Sequence, residues 1–200
     1  VLAHHAVGSP GRLEELWERI PPELDLSSRY AQEESIPESL EEIPPPDGWH
    51  RQAAQLMAAA PPWARAEAVG LALQAAEELP EALGAVSGRP SGEIESALEP
   101  LRARGYLVGE LGAPRFVSSL WARSVLAAAP EESRQVGGGM LARLLASGRP
   151  EETVAAARLA IRLADLASLG TSLAPAVAHL VESGRYEDAV ALWTSACRAG

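Results

Sequence analysis

The chain has 200 residues, of which 47% are hydrophobic, and a formal net charge of −10 at pH 7. This length is enough for one large domain or two small ones. The negative charge disfavours non-specific nucleic-acid binding, because an acidic surface repels a phosphate backbone. All 17 basic residues are arginine, so a Walker A phosphate loop and a Schiff base, which both need lysine, are excluded.

The composition favours helices over sheets. Alanine and leucine supply much of the hydrophobic fraction, whereas aromatic residues make up only 4%. The single cysteine, Cys197, excludes an internal disulfide and a cysteine-rich metal site, and we expect its side chain to be buried. No signal peptide and no apolar run near 18 residues is present, which predicts a cytoplasmic protein. A start without methionine and an end inside a helical pattern predict a piece of a longer chain.

Residues 1–22 contain a glycine turn followed by a helix, predicted over Arg12–Ile20. The stretch GSPGRLEEL at Gly8–Leu16 resembles the sensor-2 region in the lid of AAA+ and STAND ATPases. The resemblance implies that Arg12 points at nucleotide phosphates, as a guanidinium near a helix N-terminus can. A surface arginine near a helix start is the alternative. We expect the end of an ATPase lid here, with ATP as a cofactor of the parent chain and none in this fragment.

Residues 23–48 form an acidic, proline-rich segment. One arginine, Arg29, stands among eight carboxylates: Glu23, Asp25, Glu33, Glu34, Glu38, Glu41, Glu42 and Asp47. Such a segment cannot bury enough apolar surface to fold alone. We interpret it as a linker or as a strap over the next domain, and an acidic arm that imitates nucleic acid is the other reading.

Residues 49–130 show helical periodicity interrupted by one hairpin pattern. Helices are predicted at Trp49–Ala60, Trp63–Leu79, Pro80–Val86, Glu93–Arg104 and Leu120–Ala129, with strands at Tyr106–Glu110 and Arg115–Ser118. Gly105 is expected to cap the helix before the hairpin. The apolar stripe of Trp63–Leu79 is broad enough for the central helix of a bundle.

This order, together with ALEPLRARGYL at residues 97–107, resembles the winged-helix domain that follows the nucleotide-binding lid in STAND regulators. The resemblance implies a domain that packs on the ATPase and holds it closed. A DNA reader is the alternative, since a recognition helix presents arginine, lysine or amide groups to base edges. The outer face here carries Glu93, Glu95 and Glu99, with only Arg102 and Arg104 as basic groups, so nucleic-acid binding through this fragment is not expected.

Residues 131–200 contain an internal repeat with an offset of 36 residues, SGRPEETVAAARLA at 147–160 and SGRYEDAVALWTSA at 183–196. The second copy resembles half of a tetratricopeptide repeat, whose motif positions match Gly184, Tyr186, Ala189, Trp193 and Ala196. Helices are predicted at Met140–Ser147, Glu151–Leu169, Ser172–Ser183 and Tyr186–Arg198. Repeats of this kind bury their faces on one another, so an array of two is incomplete.

No catalytic or metal-binding pattern stands out. His4 and His5 are adjacent, which is poor geometry for one metal on a helix, while His50 and His179 are single. The carboxylates are spread over solvent faces and suggest no acid–base pair. We therefore predict a chain without enzyme activity, catalytic residues or metal ligands. Core packing is expected for all the tryptophans, Trp17, Trp49, Trp63, Trp121 and Trp193.

The predicted fold class is mainly α, a winged-helix-like domain with one small β-hairpin followed by tetratricopeptide-like helical repeats. The first functional hypothesis is a regulatory segment of a larger signalling ATPase, a transcriptional regulator whose nucleotide state is coupled to partner or inducer binding. Its partner would be the intramolecular ATPase domain or a protein or peptide, and not a membrane. A stand-alone repeat scaffold for protein–protein interaction and a DNA-binding winged helix are the alternatives.

Overall fold

The computed structural model describes residues 47–77, 79, 86–109 and 113–199. Across these residues it has eight helices and one two-stranded sheet, so the mainly helical class with one small hairpin is confirmed. The elements are α1 (Asp47–Ala59), α2 (Pro62–Glu77), α3 (Ser91–Ala103), β1 (Leu107–Val108), β2 (Arg115–Phe116), α4 (Ser119–Ala128), α5 (Pro130–Ser147), α6 (Pro150–Leu163), α7 (Leu166–Glu182) and α8 (Tyr186–Ala199). The predictions for residues 1–46 and for most of the short helix Pro80–Val86 lie outside the described ranges.

The hairpin forms where the sequence predicts it, with shorter strands. Strands β1 and β2 are antiparallel, with Leu107 opposite Phe116 and both side chains buried. Gly105, at φ +74°, turns the chain out of α3 in a conformation that costs glycine little. The amide of Tyr106 then donates to Leu101 O at 3.0 Å. The hairpin is therefore set directly against the end of α3.

An aromatic cluster forms the centre of the first half of the fold. The rings of Trp49 in α1 and Trp121 in α4 stack with centroids 3.7 Å apart and planes 6° from parallel. Tyr106 meets Trp121 edge-on at 4.0 Å, and its hydroxyl donates to Gln52 Oε1 at 3.2 Å. The core role predicted for Trp49 and Trp121 is confirmed, and the cluster ties α1, α4 and the hairpin together.

Two of the predicted core tryptophans are not buried. Trp63 is half-buried near the start of α2, where the Arg89 guanidinium lies 4.5 Å from its ring centroid. Trp193 in α8 is exposed, and so is Cys197, because the buried positions of α8 are Ala189, Leu192 and Ala196. The expectation of burial was wrong for Trp193 and Cys197. Helical spacing identifies an apolar stripe, but only a packing partner decides whether that stripe is covered.

Helix α5 begins at Pro130, ten residues before the predicted start at Met140. The triple glycine Gly137–Gly139 suggests a helix breaker, because each glycine costs about 1 kcal/mol relative to alanine in a helix. Proline at the first helical position and two acidic residues in the first turn favour the observed start. The buried residues Val136, Gly137, Met140, Leu141 and Leu144 hold the helix together through packing.

The three glycines of α5 differ in their surroundings, which gives a matched stability test. A Cβ at Gly138 would meet nothing within 4 Å, whereas one at Gly137 would lie 2.9 Å and 3.1 Å from the methyl carbons of Leu163. Gly138→Ala should raise the free energy of unfolding by about 0.5–1 kcal/mol in urea titrations. Gly137→Ala should be clearly less stable than Gly138→Ala, and equal gains from both variants would contradict the packing described.

Helices α6 and α7 meet at Ala164 and Asp165, and not at the predicted break around Gly170, which lies inside α7. Ala164 is in the left-handed region at φ 53° and ψ 34°, a conformation that ends a helix. The Asp165 carboxylate then caps α7 by accepting from the Ser168 amide at 3.1 Å and the Ser168 hydroxyl at 2.8 Å. The prediction of one helix over Glu151–Leu169 was wrong because its periodicity hides this change of direction.

The Asp165 cap on α7 makes the free energy of unfolding depend on pH in the acid range. Hydrogen bonds from the Ser168 amide and hydroxyl lower the pKa of Asp165 below its ordinary value. The contribution of the Asp165 carboxylate to the free energy of unfolding is complete above its unfolded-state pKa, and it is lost as the pH falls through its folded-state pKa. Asp165→Asn keeps a capping side chain without a titrating group, so the stability difference from the wild type should shrink in acid. Urea unfolding across a pH series measures it, and a pH-independent difference would contradict the assignment.

Helix α2 occupies the predicted central position. It packs against α3, α4, α5, α6 and β2, and Val69, Ala72 and Leu73 on it are buried. Ion pairs join Arg65 to Glu132 of α5 at 2.9 Å and Glu77 to Arg162 of α6 at 3.5 Å. One buried apolar cluster extends from α1 to α8. Helix α2 thus joins the segment predicted as winged-helix-like to the segment predicted as helical repeats.

Candidate interaction surface

The internal sequence repeat corresponds to two equivalent helical hairpins, α5–α6 and α7–α8. Each turn contains a glycine in the left-handed region, Gly148 at φ 67° and Gly184 at φ 73°. Each second helix begins with an ion pair over its first turn, Arg149 with Glu152 and Arg185 with Asp188. The offset of 36 residues therefore relates positions with the same local structure, and the two hairpins can be compared residue by residue.

The comparison shows a face that is covered in the first hairpin and open in the second. Val154 in α6 is 7% exposed, whereas its equivalent in α8, Val190, is 66% exposed. Ala157 in α6 is fully buried, whereas its equivalent, Trp193, is 54% exposed. Helix α6 packs against α5 and α7, while α8 packs mainly against α7 with a smaller contact to α6. The second hairpin covers α6, and no described residue does the same for α8.

The open face of α8 carries Tyr186, Val190, Trp193 and Cys197, which we call the α8 stripe. Their spacing of four, three and four residues places them on one side of the helix. Tyr186 is 64% exposed, so three large apolar side chains meet water together. Single exposed apolar residues are ordinary, but a contiguous apolar patch marks a surface for a partner. Tyrosine and tryptophan are also the side chains enriched at binding hot spots.

A concave region lies between the first turns of α2 and the middle of α5. It has a volume of about 850 Å³ and is lined by both apolar and charged side chains, including Trp63, Arg65, Val136 and Arg143. Three of its charged groups are paired within the fold, since Arg65 binds Glu132 and Glu131 binds Arg134. None of the described residues that line this groove is a serine, cysteine or histidine.

Arg102, one of the two basic groups predicted on α3, makes an intramolecular hydrogen bond at the surface. Arg102 donates through Nη1 to the carbonyl of Gly109 at 3.3 Å, which connects α3 to the hairpin. Glu93 pairs with Arg89 at 2.8 Å, and Glu99 is exposed on the same helix. Base readout needs donors aimed outward into a groove. The α3 face presents carboxylates to solvent and uses Arg102 for an internal contact.

Arg12 is the one site residue that the sequence predicts, and the histidines were not expected to bind a metal. Arg12 lies outside the described residues, so its role stays a prediction. His50 and His179 are on α1 and α7. Over residues 47–77, 79, 86–109 and 113–199, no group of three or more histidine, cysteine, aspartate or glutamate side chains could hold a metal ion.

The α8 stripe was missed because its spacing matches that of a core stripe. The repeat gives no further signal for the stripe. Leu159 of the first copy is buried, and the second copy has the exposed Ser195 at this position. Ser195 is two residues from Trp193, however, and therefore lies on the opposite side of α8 from the stripe.

Comparison of the chain with protein-family models, with curated proteins and with solved structures gave no match. In the part of the chain that the structure describes, no helix is both long and apolar enough to cross a lipid bilayer. The functional proposal therefore rests on the arrangement of residues on α8.

Proposed function

We propose that this chain is a non-catalytic interaction segment that binds a protein partner through the α8 stripe. The observation that carries the proposal is the exposure of Tyr186, Val190 and Trp193 side by side on a helix whose repeat equivalent is covered. Burying these side chains against a partner would remove apolar area from water at about 25 cal/mol per Å². Arg185 and Asp188, two of the charged groups at the start of α8, pair with each other.

The wider proposal places this segment in a larger signalling ATPase that regulates transcription. Its support is the order of segments, from the sensor-2-like turn with Arg12, through the winged-helix-like residues 49–130, to the tetratricopeptide-like residues 131–200. ATP would bind the parent chain, and Arg12 would contact its phosphates. The winged-helix-like part would hold the ATPase closed, and the repeats would receive a protein partner or inducer.

The test uses the parent chain with Val190→Ser in the stripe. Val108→Ser in β1 is the matched control, because Val108 is also exposed but lies outside the stripe. We expect Val190→Ser to change the response of nucleotide turnover to the partner or inducer, and Val108→Ser to leave it unchanged. A parent gene that encodes no phosphate loop upstream of Val1 would refute the ATPase part of the proposal.

A stand-alone repeat scaffold is the alternative that the same surface supports. In this alternative the two hairpins and the α8 stripe bind the partner without any nucleotide. In that case the chain should bind its partner with the same affinity whether or not the upstream domain and ATP are present. Dependence of the affinity on ATP would favour the regulatory segment.

A DNA-binding winged helix is the remaining alternative, supported by the helix α3 followed by the hairpin β1–β2. The carboxylates on α3 and the internal contact of Arg102 argue against it. A mobility-shift assay at low salt is the most sensitive test for DNA binding, since phosphate contacts weaken as the salt concentration rises. We expect no retardation under these conditions, and clear retardation would restore this alternative.

A further inference from the structure

We propose that the partner of the α8 stripe is an amphipathic helix that lies antiparallel to α8, in the position that α7 takes on α6. Its apolar face would carry leucine at both ends and small residues in the middle, as the buried face of α7 does. This inference rests on the proposed docking function and specifies the kind of partner.

The equivalence of the two hairpins carries the first step. Helices α6 and α8 share a left-handed glycine turn before them, an arginine–carboxylate pair over their first turn and a common offset in sequence. They differ in the helix that packs on them, since α7 comes directly after α6 in the chain and lies along it. The face of α8 that contains Val190 and Trp193 therefore corresponds to a face of α6 that is buried inside the fold.

The interface between α6 and α7 indicates what kind of helix would cover the α8 stripe. Only Ala164 and Asp165 separate these helices, so the chain reverses direction and the helices are antiparallel neighbours. The buried residues of α7, which packs on both α6 and α8, follow a helical spacing: Leu169, Ser172, Ala176 and Leu180. Leu173 and Val177 lie beside them and are partly buried. Small residues at the centre let two helices approach closely, while leucines at the ends supply apolar area.

The α8 stripe has the complementary distribution of volume. Val190 and Trp193 are central, and Trp193 stands where α6 has the small residue Ala157. A large side chain at the centre of one helix is accommodated by small side chains at the centre of the other. An α7-like helix, with Ser172 and Ala176 in its middle, offers this match, whereas a helix with leucine at these positions would overpack against Trp193.

The probe is a 17-residue peptide with the sequence of α7, Leu166–Glu182, carrying Gly170→Ala and Pro175→Ala. Both replaced residues are exposed in α7, so the substitutions raise helix propensity without altering the buried face. The peptide is titrated into the full chain, and tryptophan emission is recorded. The same titration with Trp193→Phe isolates the signal of Trp193. We expect a saturable blue shift that is absent in Trp193→Phe.

Matched variants define specificity. Val190→Ser should weaken peptide binding by about tenfold, because the substitution removes apolar contact at the centre of the stripe. Val108→Ser should leave the affinity unchanged, and a peptide with Ala176→Glu should not bind. Circular dichroism of each protein variant confirms that the helical content is retained.

Three results would overturn the inference. The first is the absence of saturable binding by the wild-type chain, and the second is equal weakening by Val190→Ser and Val108→Ser. The third is self-association of the chain that Val190→Ser abolishes, which would make a second copy the occupant. If Val190→Ser alters the parent's response although the peptide does not bind, docking at α8 stands and the helical partner is wrong. If the peptide binds but Val190→Ser leaves the parent's response unchanged, the regulatory function fails instead.

Discussion

Trp121→Ala should lower the free energy of unfolding by about 4 kcal/mol, the size of effect typical of large aromatic residues removed from a core. Trp121 is fully buried in α4, stacked on Trp49 and met edge-on by Tyr106. Its removal leaves a cavity between α1, α4 and the hairpin and ends both aromatic contacts. Because a domain of this size has a total stability of about 5–15 kcal/mol, the variant should be partly unfolded at modest urea concentrations.

The chain offers a matched control for that loss. Trp193→Ala makes the same chemical change at a residue that is 54% exposed, and we expect a change within about 1 kcal/mol. Urea unfolding followed by far-ultraviolet circular dichroism measures both variants on the same scale. Losses of similar size would contradict the burial of Trp121 or the exposure of Trp193.

Glu67→Ala should be the second largest loss, about 3 kcal/mol. Glu67 is buried in α2, and its two carboxylate oxygens accept from the amides of Val86 at 3.0 Å and of Ser87. Hydrogen bonds to a charged acceptor are stronger than average, and deleting the acceptor leaves two backbone donors without it. Glu67→Gln should lose less, because an amide oxygen can still accept one of the two bonds.

Hydrogen exchange shows which part of the fold loses protection in Glu67→Ala. The amides of Val86 and Ser87 should exchange much faster in Glu67→Ala than in the wild type, while amides in α7 should exchange with little change. Glu151→Ala, at an exposed glutamate in the first turn of α6, is the control, with an expected loss within about 0.5 kcal/mol. Unchanged protection at Val86 and Ser87 would show that the carboxylate does not hold this segment.

Local patterns predicted the elements whose signals lie within a few residues. The hairpin follows from the alternation around Leu107 and Phe116 and from Gly105, which permits the left-handed turn. The repeat turns follow from Gly148 and Gly184 in the same way. These features depend on local backbone conformation, so the sequence near them is sufficient.

Features that depend on distant packing were predicted less well. The start of α5 at Pro130 needs the contacts of Val136 and Met140 to offset three glycines. Ala164 adopts a left-handed conformation that alanine does not favour, so the end of α6 carries no C-cap signal, and only Asp165, as an N-cap of α7, marks the boundary in the sequence. The exposure of Trp193 likewise depends on which neighbour is present, and the nucleotide role of Arg12 stays a prediction.

The two ion pairs of α2 have a consequence for cooperativity. Arg65 and Glu77 are twelve residues apart, about 18 Å along the helix, and reach α5 and α6 respectively. Because α2 also packs on α3 and α4, a rotation of the hairpins against the aromatic cluster would break contacts at both ends of α2. A force applied at either end of the described chain would thus act on the contacts that α2 makes with the helices on both sides of it.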